Sequence, residues 1–154
     1  MFGWSMGDLV SISALAMKVY AAYKDAPNDY RHISQEVKSL KIIIDKARQL
    51  FENSTLSDQD HQDGQEILQG CRSVLDDLNS LIKKYHSLAP TTSHQIFKKV
   101  KFGTEDITTL RVRLISNTGL LNGFIQRFDI LIIATKYIML IFTSAVKFVR
   151  YGHC

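Results

Sequence analysis

The sequence predicts an all-α protein: an antiparallel bundle of four to five amphipathic helices that ends in a long C-terminal helix. Apolar residues recur at alternating spacings of three and four over most of the 154 residues. This is the period of one helix face, and no segment alternates with the period of two that marks a half-buried strand. Only 2 prolines and 8 glycines are present, which excludes collagen-like and turn-dense all-β architectures.

The first helix is predicted to begin at Ser5, whose hydroxyl can cap it, and to end before Pro27. Trp4 precedes this cap and Leu9 lies one turn inside the helix, which is the spacing of a hydrophobic staple. One apolar stripe runs along the helix and consists of Leu9, Ile12, Ala16, Val19 and Tyr23. We expect this stripe to face the core.

The second helix is expected over residues 29–51 and has the clearest amphipathic pattern of the chain. Its apolar face consists of Tyr30, Ile33, Val37, Leu40, Ile44, Ala47 and Phe51. A third helix is expected to start near Ser57, with acidic residues in its first turn, where the helix dipole favours them. Its apolar seam consists of Ile67, Cys71, Val74, Leu78, Leu81 and Tyr85.

A loop around Pro90 separates these helices from the C-terminal part of the chain. The basic segment 95–102 is expected to form a short separate helix. Thr104 then caps a further helix, with Glu105 and Asp106 in its first turn. Its apolar face consists of Ile107, Leu110, Leu114, Asn117, Leu121, Phe124 and Phe128. We therefore predict a helical domain over residues 1–128.

Residues 129–154 are predicted to be a separate apolar helix. Its core, residues 130–149, is 20 residues long, enough to cross a bilayer. Two lysines interrupt it, and a central Lys costs about 2.5–3.5 kcal/mol, while each Leu, Ile, Val or Phe returns about 0.3–0.6 kcal/mol. The polar positions form a narrow stripe of Asp129, Lys136, Thr143, Lys147 and Arg150. Three alternatives follow: this helix packs on the bundle, it enters a membrane, or it is the aberrant end of a gene model.

Charge and cysteine content bound the partners and the compartment. Residues 1–93 carry a net charge of −2 and residues 94–154 a net charge of +6. A basic C-terminal part fits an anionic membrane surface or simply a solvated face. Nucleic acid is not expected, because no zinc-finger or RNA-binding motif is present. Two cysteines cannot form a disulfide framework and the first 17 residues contain no Lys or Arg, so we expect a cytoplasmic protein without a secretory signal.

Sequence motifs for catalysis are absent. The chain has no phosphate-binding GxxxxGK[ST] loop, no HExxH, no CxxC and no GxSxG. A calcium loop starting at Asp58 would need Gly in its sixth place and Glu in its twelfth, where Asp63 and Gln69 stand. We therefore expect no enzyme, no cofactor, no bound metal and no small-molecule substrate, and we assign Cys71 to the core.

Four segments, in order, resemble the N-terminal domains of fungal STAND (NLR-like) proteins. Residues 2–8, FGWSMGD, resemble the family's FGFSVGD-type start, and Tyr30 with residues 36–40 resembles its EYRELxxELxxLE helix. Cys71 with residues 75–85 resembles its CxxxLxxFxxKIxKY helix. Residues 98–102, followed by Glu105, Asp106, Leu110 and Arg111, resemble its KVKWxxxKKEDVxxLRxxL segment. The resemblance covers about residues 2–125, and the remaining tail does not resemble the family.

This family is similar to the HeLo and HeLo-like helical bundles. The resemblance implies a role in regulated cell death by oligomerisation and membrane perturbation. It places this role in fungal innate immunity or heterokaryon incompatibility. On this hypothesis, release of residues 1–23 carries five apolar residues into lipid: Phe2, Trp4, Leu9, Ile12 and Leu15. Lys98, Lys99 and Lys101 would hold anionic headgroups. The expected partners are further copies or other bundle domains and an anionic membrane, to which the cytoplasmic protein moves on activation. The alternative is a helical interaction module that signals without touching lipid.

Overall fold

The protein is all-α. The computed structural model describes residues 6–26, 28–53, 56–86 and 104–151, of which 96% are helical and none lies in a strand. Four helices account for this part of the chain: α1 (Met6–Tyr23), α2 (Asn28–Asn53), α3 (Asp58–His86) and α4 (Thr104–Tyr151). The predicted helix over residues 95–102 and the predicted cap and staple at Ser5 and Trp4 lie outside the described residues.

The start of α3 shows how local chemistry sets a helix end. The Ser57 hydroxyl accepts a hydrogen bond from the Asp60 backbone N–H at 3.2 Å and donates one to the Asp60 carboxylate at 2.6 Å. Two polar groups of the first turn are thereby satisfied by one residue. The prediction that α3 begins near Ser57 is confirmed.

The predicted apolar stripes of α1 and α2 face the core. All five predicted residues of α1 are buried, as are six of the seven predicted for α2. Phe51, the seventh, is half-buried, and Leu50 beside it is buried instead. The end of α2 packs beside more than one neighbouring helix, so Leu50 and Phe51 share the contact with them.

The buried faces of α3 and α4 are wider than one stripe. On α3, Leu68 and Leu75 are buried beside the predicted seam, whereas Ile67 is half-buried. On α4, Ile125 joins the predicted face, and Asn117 is half-buried, where its side chain donates to the Arg113 carbonyl at 2.9 Å. α3 packs against both α1 and α4, so it has to bury two adjoining stripes.

Polar contacts fix the helices to each other across the core. α1 packs on α2 and α3, and α4 packs on the same two helices. Tyr23 on α1 donates its hydroxyl to the Leu78 carbonyl on α3 at 3.3 Å, and burial raises its pKa strongly. Burial opposes ionisation of Asp45, but hydrogen bonds from Lys41 at 2.6 Å and from Ser13 at 2.9 Å outweigh it and lower the pKa of this carboxyl.

Contacts between α3 and α4 follow a regular order along both helices. Four pairs mark it: Asp77 with Arg113, Cys71 with Asn117, Gly64 with Phe124, and Asp60 with Arg127. Residue numbers on α3 fall as those on α4 rise. The early part of α3 therefore lies beside the place where α4 leaves the core.

α4 continues through the predicted boundary between residues 128 and 129. It is one helix of 48 residues, about 72 Å long at 1.5 Å per residue. At this point the burial of side chains ends, whereas the helix continues. Phe128 is buried, Ile132 is half-buried, and every side chain of residues 133–150 is exposed. No Gly or Pro follows Gly123 before position 152, so the sequence contains nothing that would end the helix.

Candidate functional site

The distal half of α4, defined here as residues 133–150, is an exposed apolar helix. Its best window has a mean hydropathy of 1.8 and is 0% buried, so by length and composition α4 can cross a membrane. Large side chains such as Phe142 and Phe148 are 70% and 80% exposed. A helix that is apolar on most of its circumference is normally buried in a protein or in lipid. Among the described residues, this segment packs on no other helix.

Polar side chains within the distal half are arranged compatibly with lipid. The Thr135 hydroxyl donates to the Leu131 carbonyl at 2.8 Å, and the Thr143 hydroxyl donates to the Met139 carbonyl at 2.7 Å. Each threonine therefore satisfies its own donor within the helix, as in membrane-spanning helices. Neither hydroxyl needs water as an acceptor.

The polar stripe from Asp129 to Arg150 lies on one side of α4. At 100° per residue, Asp129, Lys136, Thr143, Lys147 and Arg150 fall within about 60° of arc. Side chains on a helix point toward its N-terminus, so Lys136 is directed toward the end of the segment next to the helical domain. A long Lys side chain in this position can bring its ammonium group to a membrane surface while its stem stays in lipid.

An aromatic cluster holds α4 where it leaves the core. The Arg127 guanidinium pairs with Asp60 at 2.7 Å and lies 5.3 Å and 4.9 Å from the ring centres of Phe124 and Phe128. The Phe51 ring from α2 stacks 6.1 Å from that of Phe124. Three helices thus meet at the base of the distal half and fix its direction.

The residues predicted to enter lipid through the first helix are placed differently. Leu9 and Ile12 are 1% and 2% exposed and belong to the core, while Leu15 is half-buried against it. Phe2 and Trp4 lie outside the described residues, and so do the predicted lipid-binding lysines, Lys98, Lys99 and Lys101. Lipid insertion of Leu9 and Ile12 would therefore require α1 to leave the core.

An open groove and the distribution of possible metal ligands also bear on the chemistry of the protein. An open groove of about 860 Å³ between α3 and α4 is lined by Asp63 and Glu66 on one side and by Gly119, Leu120 and Gly123 on the other. The described residues contain no group of three or more His, Cys, Asp or Glu side chains that could hold a metal ion.

Cys71 lies in the core, where burial raises the pKa of its thiol to about 12. A thiol of this pKa is protonated at neutral pH, and the thiolate is the reactive form. Cys71 is therefore a packing residue in the folded chain.

No protein-family model matches the chain, and no curated protein or solved structure matches it either. The resemblance to fungal STAND domains consequently stays a prediction from the sequence. The exposed distal half of α4 is the described feature that bears most directly on function.

Proposed function

We propose that this protein is a membrane-inserting helical domain whose distal α4 half enters the bilayer. One observation carries the proposal: an apolar helical segment, 0% buried in its most hydrophobic window, extends from a helical domain with a core of its own. The domain stays at the membrane surface, with its helices as an antiparallel bundle. The opposite order of the α3 and α4 contacts supports this arrangement.

Length and energetics are consistent with a membrane span. The 20 residues 130–149 extend about 30 Å as a helix, which matches the hydrocarbon thickness of a bilayer. Some ten Leu, Ile, Val and Phe residues offset the cost of two central lysines. Lys147 lies near the end of the segment and Lys136 can reach the surface, so both cost less than lysines held at the bilayer centre. With the cost of both lysines reduced in this way, the apolar residues of the segment can balance it.

The biological role that we propose follows the family resemblance. The domain acts as the N-terminal effector or signalling domain of a fungal NLR-like receptor and promotes regulated cell death through oligomerisation and membrane perturbation. Movement of α1 into lipid would be a later, triggered step. Since complete burial of one Leu, Ile or Val side chain is worth about 1.5–3 kcal/mol, α1 does not leave the core spontaneously.

Flotation with liposomes tests the membrane proposal. The full chain should float with neutral and with anionic vesicles, and dye release from the same vesicles reports perturbation. The double substitution Ile138→Asp and Ile141→Asp should abolish flotation, because it places two charges on the side of the distal half that carries none. Both residues are exposed, at 65% and 68%, so the fold should be retained.

Ile42→Asp is the matched control, because Ile42 is an exposed isoleucine (50%) on α2. It should float like the unchanged chain. Equal flotation of the distal double variant and the unchanged chain would refute insertion through α4.

A helical interaction module that never touches lipid is the second candidate. The open groove beside Asp63 and Glu66 favours it, because its mixed acidic and apolar lining suits an amphipathic helix with basic residues. A chain that stays out of the floating fraction yet forms stable complexes with helical partners would support this candidate over membrane insertion.

A further inference from the structure

A continuous ridge of small and branched residues follows one side of α4, next to its buried face. It begins at Val112, ends at Val149 and advances by spacings of 4, 3, 4, 4, 3, 4, 4, 3, 4 and 4. Every position on it is exposed. The ridge thus runs along the part of α4 that packs on the domain and along the distal half. Near the domain, Ser116, Gly119, Gly123 and Arg127 line the open groove between α3 and α4, whereas beyond Ile132 no described helix lies beside the ridge.

The composition of this ridge is that of a helix–helix contact. Five of its residues are small, namely Ser116, Gly119, Gly123, Ala134 and Ala145. Five others are β-branched, namely Val112, Ile130, Ile138, Ile141 and Val149. Small residues let two helix backbones approach closely, and stiff branched residues fill the spaces beside them. A mean period near 3.7 residues is that of right-handed helix pairs.

The remaining ridge residue is Arg127, and its charge is already compensated. Its guanidinium pairs with Asp60 of the same chain at 2.7 Å and lies over the rings of Phe124 and Phe128. When two copies meet along this ridge, each arginine keeps its own carboxylate partner. No uncompensated charge therefore lies in the contact.

The glycines of α3 and α4 differ in what surrounds them. A methyl group at Gly64 or Gly70 would meet Phe124, Phe51 or Asn117 at 3.1 Å or less, so the packing of the chain itself explains these two glycines. A methyl group at Gly119 or Gly123 would meet nothing within 4 Å. Nothing in the described chain requires glycine at these two places, although glycine weakens a helix.

We propose that the ridge binds the same ridge of a second copy, with the two α4 helices parallel. The inference rests on the proposed function for its orientation, since insertion into one membrane from one side aligns the two helices. A strip about 57 Å long and about 10 Å wide on each copy gives roughly 1,100 Å² in total, enough for a specific interface.

Disulfide trapping tests this pairing in the full chain. Ser116→Cys is introduced together with Cys154→Ser, and the protein is placed in phosphatidylcholine vesicles and oxidised. Because Cys71 is buried, it does not contribute. The Ser116→Cys chain should form a disulfide-linked dimer whose yield is unchanged when more lipid is added. Ser80→Cys, an exposed position on α3, is the control and should stay monomeric.

A second variant separates pairing from folding and from insertion. Gly123→Leu in the Ser116→Cys chain should lose most of the dimer, while its helical circular dichroism and its flotation stay unchanged. Ser80→Leu is the matched control and should leave the dimer yield as it was.

The possible outcomes distinguish this inference from the proposed function. If the chain floats but does not crosslink through Ser116→Cys, or if Gly123→Leu leaves the dimer yield unchanged, the pairing is wrong and membrane insertion stands. Equal crosslinking through Ser80→Cys would likewise overturn it. Crosslinking through Ser116→Cys in solution by a chain that does not float would keep the pairing and refute insertion.

Discussion

Alanine substitutions at two helical glycines should change stability in opposite directions. Gly70 on α3 and Gly119 on α4 are both helical, so the local gain in helix propensity from Gly→Ala is the same, about 1 kcal/mol. Their surroundings differ. The new methyl group at position 70 would clash with the side-chain oxygen of Asn117, whereas at position 119 it meets nothing within 4 Å.

The size of the difference in stability follows from the interactions that the Asn117 side chain loses when it moves. Its side-chain amide donates to the Arg113 carbonyl at 2.9 Å, while its backbone carbonyl accepts a weak hydrogen bond from the Cys71 thiol at 3.8 Å, which does not depend on the side chain. Moving the side chain forfeits a hydrogen bond worth about 0.5–1.5 kcal/mol, and overpacking costs about 1–3 kcal/mol more. We therefore expect Gly119→Ala to stabilise the protein by about 1 kcal/mol and Gly70→Ala, after its own gain in helix propensity is subtracted, to destabilise it by about 0.5–3.5 kcal/mol.

Guanidinium unfolding followed by circular dichroism measures both variants. A mild detergent covers the distal half of α4, and dilute protein keeps the chain monomeric. In the background of Asn117→Ala, where the obstructing side chain is removed, Gly70→Ala should become neutral or stabilising. If Gly70→Ala alone stabilises the protein as much as Gly119→Ala does, the packing argument between α3 and α4 is refuted.

Two further predictions concern the core. Leu114→Ala should lower the free energy of unfolding by about 2–5 kcal/mol, because Leu114 is fully buried. Leu120→Ala is the control at an exposed position and should change it by no more than about 0.5 kcal/mol. Denaturant midpoints compare the two variants. The Cys71 thiol should resist thiol reagents until the chain unfolds. Burial raises the pKa of this thiol, so its contribution to the free energy of unfolding should be fully present below the ordinary thiol pKa of about 8.5 and should be lost as pH rises toward 12. Cys71→Ala should remove this contribution to the pH dependence of stability between about pH 8 and pH 10.

The sequence predicted the helical class and most of the core face of each helix. For α1, a regular spacing of apolar residues identified every buried side chain, because the period of a helix is a local property that packing does not alter. It also identified the apolar segment 130–149 and the polar stripe from Asp129 to Arg150. A local pattern could not identify Leu68 and Leu75 as core residues, since the width of a buried face depends on how many neighbours a helix has.

The candidate site was predicted only in part. The apolar start of the chain and the apolar tail were both recognised as possible membrane segments, yet composition alone could not rank them. The tertiary structure distinguishes them by burial, because Leu9 and Ile12 are enclosed by neighbouring helices while no described helix lies beside the distal half of α4. The ridge of α4 was missed, although its recurring small residues were visible in the sequence, because no sequence pattern shows which side of a helix has open space beside it.

The sequence by itself thus determined where α1, α2 and α3 lie and that residues 104–128 and 130–149 are helical, but it predicted a separate helix from residue 129, where α4 continues without a break to Tyr151. Helix formation depends on propensity and on spacing within a few turns, both of which can be deduced along the chain. Only the tertiary structure decided which apolar faces are covered and which glycines have open space beside them. Coverage depends on what other helices bring opposite each residue, and in α4 that coverage ends near Ile132 while the helix continues.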